Sequence, residues 1–236
     1  MTFSGEAVVW QGSGTVWPGV AWGDPLATVL GTLGWRVSLV PWGDPAAEHR
    51  GRDGVLHVFS GGLEAIGSGS AAMAERLDAV RAALNVAADD RASVVGICLG
   101  AQMIAAVAGQ LDPEPVPSGG EAGTTTVHGH GVPDLHVATA HAQQVPTAFL
   151  GTPGTRLLWS NAVTPLQGFT LGSRVAGVQF HPELCPLEAG WAATAFQELL
   201  GVPDAEPARG DLDPVTATGT VLAMAGAHRR IRSLAA

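Results

Sequence analysis

Residues 94–109, with the sequence VVGICLGAQMIAAVAG, predict a strand that turns sharply into a helix. The first four residues form an apolar run typical of a buried strand, and the residues from Leu99 onward are small, apolar helix formers. Cys98 stands between them, with Gly96 and Gly100 two residues to either side. This is the spacing of a nucleophile elbow, where glycine avoids the crowding that a side chain would cause beside the strained turn.

A cysteine at such a turn would be suited to nucleophilic catalysis. The positive N-terminal end of the following helix favours a thiolate, and the free N–H groups there can hold an oxyanion. The same residues are also compatible with a small buried cysteine in a glycine-rich turn of the core, because unpaired cysteines are often buried. The rest of the chain therefore has to decide between a reactive and a structural Cys98.

The composition indicates a globular protein with a large core. Of the 236 residues, 46% are hydrophobic and only 14% are charged, which suits one large domain. The formal net charge of −9 argues against a general nucleic-acid-binding surface, which requires a basic patch. All 12 basic residues are arginine, so lysine Schiff-base chemistry and a Walker A phosphate loop are excluded.

We expect a cytoplasmic protein without a membrane segment. The first residues lack the basic region and long apolar run of a signal peptide, and no stretch reaches ~18 consecutive apolar residues. The two cysteines, Cys98 and Cys185, are too few for the disulfide framework of a small secreted domain.

The first hundred residues alternate between strand-like and helix-like segments. The predicted strands cover residues 7–10, 36–40, 55–59 and 94–97, and the predicted helices cover residues 24–33, 69–84 and the stretch after Cys98. This alternation predicts an α/β fold in which helices cover both faces of a parallel sheet. In such sheets the functional crevice lies at the carboxyl ends of the strands, which is where Cys98 would stand.

The second half of the chain predicts additions to this sheet. Short, closely spaced strands at residues 135–139, 156–159, 166–170 and 175–180 indicate antiparallel pairing, and helices are predicted at residues 187–200 and 214–235. Residues 112–134 are rich in Pro, Gly and Thr and predict an exposed loop. His128 and His130 in that loop could bind a metal, but no third ligand stands nearby, so no metal site is predicted.

Two further strand ends carry residues that could act with Cys98. The strand at 55–59 runs into Ser60-Gly61-Gly62, whose backbone N–H groups could approach an oxyanion, although the same residues suit an ordinary turn. The strand at 175–180 runs into His181-Pro182-Glu183. There the glutamate can orient the imidazole while the other ring nitrogen takes a thiol proton, so this pair is the best partner for the cysteine.

Two of these segments together resemble the class I (triad) glutamine amidotransferase family. They are GICLGAQ at residues 96–102 and VQFHPE at residues 178–183. The resemblance extends over about residues 5–200 and is closest to the amidotransferase domain of GMP synthase and its free-standing relatives. It also places residues 60–62 on the family's oxyanion strand, and the segment around His141 in the stretch that precedes the final histidine.

The resemblance implies a flavodoxin-like, doubly wound fold that hydrolyses L-glutamine to glutamate and ammonia through a γ-glutamyl thioester. It assigns the site as follows: Cys98 as nucleophile, His181 as base and then acid, Glu183 as its orienting group, Gly61, Gly62 and Leu99 as the oxyanion hole, and Gln102 and His141 as substrate-binding residues. No metal and no organic cofactor is implied.

The same resemblance divides the chain into an amidotransferase domain at residues 1–200 and a linker with a C-terminal helical extension at 201–236. That extension is too short to be a synthetase, so the ammonia would pass to a separate synthetase or other acceptor. Two alternatives stay open. The same chemistry would serve a γ-glutamyl hydrolase or transferase that acts on another γ-glutamyl amide, and the fold could also belong to a non-catalytic binding protein.

Overall fold

The computed structural model describes residues 5–200 and 211–227. The strands are β1 (Gly5–Trp10), β2 (Thr15–Trp17), β3 (Val20–Ala21), β4 (Trp35–Val40), β5 (Leu56–Phe59), β6 (Ser93–Ile97), β7 (Glu114–Pro115), β8 (Glu121–Gly129), β9 (Leu135–His141), β10 (Gln143–Gln144), β11 (Thr155–Ser160), β12 (Gly168–Leu171) and β13 (Val175–Val178). The helices are α1 (Gly23–Thr32), α2 (Ala71–Ala88), α3 (Leu99–Gly109), α4 (Pro186–Leu200) and α5 (Pro214–Met224).

Nine of these strands form one mixed sheet in the order β4-β1-β5-β6-β13-β12-β11-β8-β9. The first five in that order run parallel, and the pairings from β13 to β9 are antiparallel. Buried residues of α1 and α5 pack on one face of the sheet, and those of α2 and α3 pack on the other. The predicted α/β class, a parallel sheet with antiparallel additions, is therefore confirmed.

The prediction of an exposed loop for residues 112–134 is wrong. The nine-residue strand β8 occupies the middle of that segment and pairs with β9 from Glu121 opposite His141 to Val127 opposite Leu135. Its run of threonines suits a strand with one exposed face, since β-branched residues favour extended backbone. The flanking glycines and prolines concealed this signal, because those residue types dominate turns.

The two histidines of this segment have ordinary polar partners. Nδ1 of His128 lies 3.2 Å from a carboxylate oxygen of Asp134, and Nε2 of His130 lies 2.8 Å from Oγ of Ser160. Within residues 5–200 and 211–227, no three His, Cys, Asp or Glu side chains are grouped to hold a metal ion. The same part of the chain contains no helix with the length and hydropathy to span a bilayer.

The C-terminal helix α5 packs into the main body of the protein. Val221 and Leu222 belong to the buried cluster that also contains Leu30 of α1. The division of the chain at residue 200 stays a prediction. Residues 201–210 of the predicted linker and the end of the predicted last helix, from residue 228, lie outside the described residues.

Candidate active site

Cys98 occupies a strained turn at the carboxyl end of β6. Its backbone angles, φ 50° and ψ −107°, lie in a region that residues with a side chain rarely adopt. The turn is held on both sides, because the Cys98 N–H donates to the carbonyl of Val178 at 2.7 Å and its carbonyl accepts from the Gln102 N–H at 3.1 Å. The first of these bonds ties the elbow to β13, and the second starts α3.

The two flanking glycines are required by close backbone contacts. A Cβ on Gly96 would stand 2.6 Å from the backbone of Gly100, and a Cβ on Gly100 would stand 2.1 Å from the carbonyl oxygen of Phe59. Both distances are too short for real atoms, so no larger residue fits without a backbone shift. The structure therefore supplies the steric reason for the Gly-x-Cys-x-Gly spacing.

His181 and Glu183 form a fully buried pair. Nδ1 of His181 lies 2.9 Å from Oε1 of Glu183, and both side chains have no exposed surface. The His181 N–H donates to the carbonyl of Ala138 at 2.8 Å, which ties this segment to β9. The pair is therefore fixed by backbone hydrogen bonding as well as by burial.

The surroundings of His181 favour its protonated form. Burial by itself would lower the pKa of the imidazole, but the charge of Glu183, the nearby thiol of Cys98 and the hydrogen bond with Glu183 outweigh burial and raise the pKa to about 10. Nε2 of His181 makes no hydrogen bond of normal geometry with the described residues, although the thiol is near enough to affect this pKa. A buried nitrogen beside Sγ is the arrangement that thiol activation needs.

A cavity of about 300 Å³ opens in front of Cys98. Its walls come from the loop after β5, the elbow, the segment that joins β9 to β10, and α4; the lining residues are Gly62, Leu63, Glu64, Ala65, Cys98, Leu99, Gln102, Ala140, His141, Ala142, Gln143 and Phe196. This volume lies at the lower end of the range for ligand pockets, so the site suits a small molecule.

The glycines predicted for the oxyanion hole take different places. Gly62 and Leu99 both line the cavity, and a Cβ on Gly62 would stand 2.9 Å from Cδ2 of Leu99. Gly61 instead lies against the imidazole, since a Cβ there would stand 2.6 Å from Cε1 of His181. The close approach of residue 61 to His181 thus explains why a side chain is excluded there.

Gln102 and His141 both line the cavity, but much of their hydrogen-bonding capacity is used within the protein. Nε2 of Gln102 donates to the carbonyl of Gln143 at 2.9 Å, and Nδ1 of His141 lies 3.1 Å from the same oxygen. Nε2 of His141 faces the carboxylate of Glu121 at 3.4 Å. The imidazole is therefore held at the cavity wall between the carbonyl of Gln143 and the carboxylate of Glu121.

Glu121 is a site-supporting residue that the sequence reasoning missed. Its buried carboxylate accepts from Asn161, from Thr164 at 3.1 Å and from Gln167 at 2.8 Å, in addition to facing His141. Burial would raise the pKa of this carboxyl, but the hydrogen bond and charge of His141, followed by the bonds from Asn161 and Thr164, lower it. The residue stands at the start of β8, in the segment mistaken for a loop, so no sequence signal pointed to it.

A cysteine on a strand-to-helix elbow, together with a buried histidine–carboxylate pair, defines an α/β protein of the nucleophile-elbow class. Residues 24–197 match the sequence model of a family described as glutamine amidotransferase class-I. The match spans most of the chain, and the protein belongs to this family. The resemblance predicted from the two sequence segments is thereby confirmed.

Solved structures with the same fold come from several organisms. A protein from Thermoplasma acidophilum, described as a candidate GMP synthase subunit, is 23% identical, with a TM-score of 0.62 over 96% of each chain. A glutamine amidotransferase from Thermotoga maritima is 17% identical, with a TM-score of 0.64 over 96% of each chain. A glutamine amidotransferase from Methylobacillus flagellatus is 22% identical, with a TM-score of 0.62 over 98% of this chain and 95% of the other. A search of curated proteins finds no match.

Proposed function

We propose that this protein hydrolyses L-glutamine to glutamate and ammonia through a γ-glutamyl thioester on Cys98. The observation that carries the proposal is the strained elbow, which presents the cysteine to a small cavity beside the buried His181–Glu183 pair. Membership of the class I glutamine amidotransferase family supports glutamine as the substrate.

The first half of the reaction uses His181 as an acid, whereas the family resemblance gave it the role of base first. With its raised pKa the imidazole holds a proton at neutral pH, and this positive charge stabilises a thiolate at Cys98. The thiolate attacks the γ-carbonyl carbon, and the N–H groups of Gly62 and Leu99 hold the oxyanion that results. When this intermediate collapses, the C–N bond breaks, His181 gives its proton to the leaving nitrogen, and ammonia departs.

The second half uses the now neutral imidazole as a base. His181 takes a proton from a water molecule, and the resulting hydroxide attacks the thioester carbon. Collapse of the second oxyanion breaks the C–S bond, releases glutamate and restores the thiolate–imidazolium pair. Glu183 keeps Nδ1 protonated throughout, so that Nε2 is the nitrogen that exchanges protons with the substrate and water.

Substrate orientation falls mainly to Gln102. Because its amide nitrogen is held by the carbonyl of Gln143, Gln102 offers the substrate its oxygen Oε1, an acceptor suited to the α-ammonium group of glutamine. His141 acts indirectly by holding the same carbonyl in place. We therefore assign His141 to support of the binding wall, whereas the family resemblance assigned it to the substrate itself.

The ammonia would serve a separate synthetase. The support for this step is the similarity, over 96% of both chains, to a candidate subunit of GMP synthase. A chain of matching extent that is named as one subunit of a synthase favours an acceptor on another polypeptide.

The test is ammonia release from L-glutamine by the wild type and by Cys98→Ala, with accumulation of a thioester in acid-quenched samples measured by intact mass. We expect release and a covalent adduct for the wild type only. Equal background rates in both proteins would overturn the proposal. A panel of γ-glutamyl peptides, assayed alongside glutamine, distinguishes a glutaminase from a γ-glutamyl hydrolase. A preference for the peptides would identify a γ-glutamyl hydrolase.

A further inference from the structure

Trp22 is fixed at the point where the chain enters α1. Asp24 accepts from the backbone N–H of Ala21 at 2.7 Å and from Nε2 of Gln11 at 2.9 Å, so both sides of Trp22 are tied to the end of β1. The next residue, Gly23, leaves no room for a side chain, because a Cβ there would stand 2.5 Å from Cγ of Gln11. The backbone of Trp22 is therefore held in one position.

The indole of Trp22 lies against the imidazole of His181. The two ring centroids are 4.9 Å apart and the planes are tilted by 32°. Phe196, which lines the cavity, packs edge-on against the indole at 6.4 Å. Trp22 is 2% exposed, so this contact is shielded from water. Gly61 also lies against the indole, since a Cβ there would stand 3.2 Å from Cε3 of Trp22.

This geometry favours a positive charge on His181. The face of an indole attracts a cation within about 6 Å of its centroid, and the attraction is strongest where water is excluded. Among the described residues, the titratable groups nearest to His181 are Glu183 and Cys98. His136 and Asp213 line a small cleft that His181 also lines. Trp22 adds a neutral contact that acts in the same direction as Glu183.

We propose that Trp22 is a positioning residue for the reaction: its indole holds the imidazole of His181 between Glu183 and Cys98 and stabilises the protonated form. The inference rests on the proposed function only for its kinetic consequence. The loss of this contact would lower the pH at which His181 gives up its proton, and with it the alkaline limit of activity.

The test compares Trp22→Met and Trp22→Phe with Trp35→Met. Trp35 is the matched control, because it is also a buried tryptophan whose indole nitrogen has no hydrogen-bond partner in the described residues, but it begins β4 at the opposite end of the strands from Cys98. Folding of each variant is checked by near-UV circular dichroism. Should Trp22→Met not fold, 5-fluorotryptophan at position 22 keeps the shape and weakens only the negative ring face.

The first readout is the pH profile of kcat/KM for glutamine. We expect the alkaline limb of Trp22→Met to move about one pH unit lower, the limb of Trp22→Phe to move by less than half as much, and that of Trp35→Met to stay in place. The fluorinated indole at position 22 should move the alkaline limb to lower pH as well, by a smaller amount than Trp22→Met. An unmoved limb in Trp22→Met, or in the fluorinated protein where that is used, overturns the inference.

The second readout does not depend on glutamine. The ring proton resonance of His181 is assigned with His181→Gln, and its titration midpoint is measured by NMR in each variant. A lower midpoint in Trp22→Met with recovery in Trp22→Phe supports the inference even if the wild type hydrolyses no glutamine, in which case only the proposed function fails. A midpoint within about 0.3 pH units of the wild type in every Trp22 variant overturns it.

Discussion

Replacement of Glu121 by alanine is predicted to destabilise the protein more than the replacement of any surface carboxylate residue would. In the wild type this carboxylate accepts from Thr164 and Gln167, which are both fully buried, and faces His141 across 3.4 Å. Alanine removes the acceptor and leaves these donors without a partner. It also leaves His141 without the group that holds its ring against the carbonyl of Gln143.

The magnitude follows from the number of buried donors. Each buried donor left without an acceptor costs about 1–3 kcal/mol, and Thr164 and Gln167 both fall in that class. Water that enters the vacated space would recover part of the loss. We therefore expect a decrease of about 2–5 kcal/mol in the free energy of unfolding at pH 7.

Urea denaturation at pH 7 measures this loss, with Glu64→Ala as the control. Glu64 also accepts from two side chains, Ser68 and Ser70, but it is only partly buried, and its loss should cost less than about 1 kcal/mol. A cost for Glu121→Ala no larger than that of the control would refute the reasoning.

The pH dependence gives a second check on the same variant. The pKa of Glu121 is lowered in the folded protein, so its stabilising effect is complete above its ordinary value of 4.5 and is lost as the pH falls through the folded value. The difference in free energy of unfolding between the wild type and Glu121→Ala should therefore become smaller in acid. A difference that stays constant from pH 7 down to the acid transition would contradict the assigned charge state of Glu121.

Three further predictions concern the elbow and the histidine pair. Gly100→Ala should cost more than about 3 kcal/mol of stability, because the new Cβ meets the carbonyl of Phe59. The control Gly190→Ala in α4 has open space around it and should be neutral or stabilising by up to about 1 kcal/mol. Thermal melts measure both, and equal melting points for the two variants would argue against the steric account. Glu183→Gln should lower kcat/KM about a hundredfold and move its alkaline limb to lower pH, and an unchanged limb would mean that the carboxylate does not hold the proton on His181. The difference in free energy of unfolding between the wild type and His181→Gln should become smaller as the pH rises from 6.5 towards about 10, because in this range folded His181 holds a proton that the unfolded chain has released. Urea titrations across this range test the prediction. A difference that grows with pH would contradict the raised pKa of His181.

The elbow could be read from the sequence because its geometry is local. Five consecutive residues determine whether a strand can turn into a helix at Cys98, and the two glycines report the space that the turn leaves. The pairing of His181 with Glu183 was equally accessible, since two residues separate them. Their approach to Cys98 required one more assumption, namely that the carboxyl ends of parallel strands meet at one edge of the sheet.

The support around the site could not be read in this way, because each part of it joins residues far apart in the chain. Glu121 is buried beneath the segment that follows β11, which places Gln167, 46 residues later, at its carboxylate. Trp22 has no neighbouring residue in the sequence that indicates an aromatic contact with His181, 159 positions away. The glycines and prolines that flank β8 also concealed the strand signal of its threonines, since local composition does not show which turn residues flank a paired strand.

One backbone carbonyl joins the elements that make up the site. The oxygen of Gln143 accepts from Nε2 of Gln102 on α3 and from Nε2 of Gln179, just after β13, and it lies within 3.1 Å of Nδ1 of His141 at the end of β9. The elbow helix, the strand that leads to the histidine pair and the wall braced by Glu121 therefore share a single acceptor. A shift of this carbonyl would move the amide of Gln102, to which we assign the binding of the substrate's α-ammonium group. We therefore expect the loss of Glu121 to change mainly the KM for glutamine, through Gln102, and the loss of Trp22 to change mainly the pH dependence of kcat/KM, through the ring contact with His181.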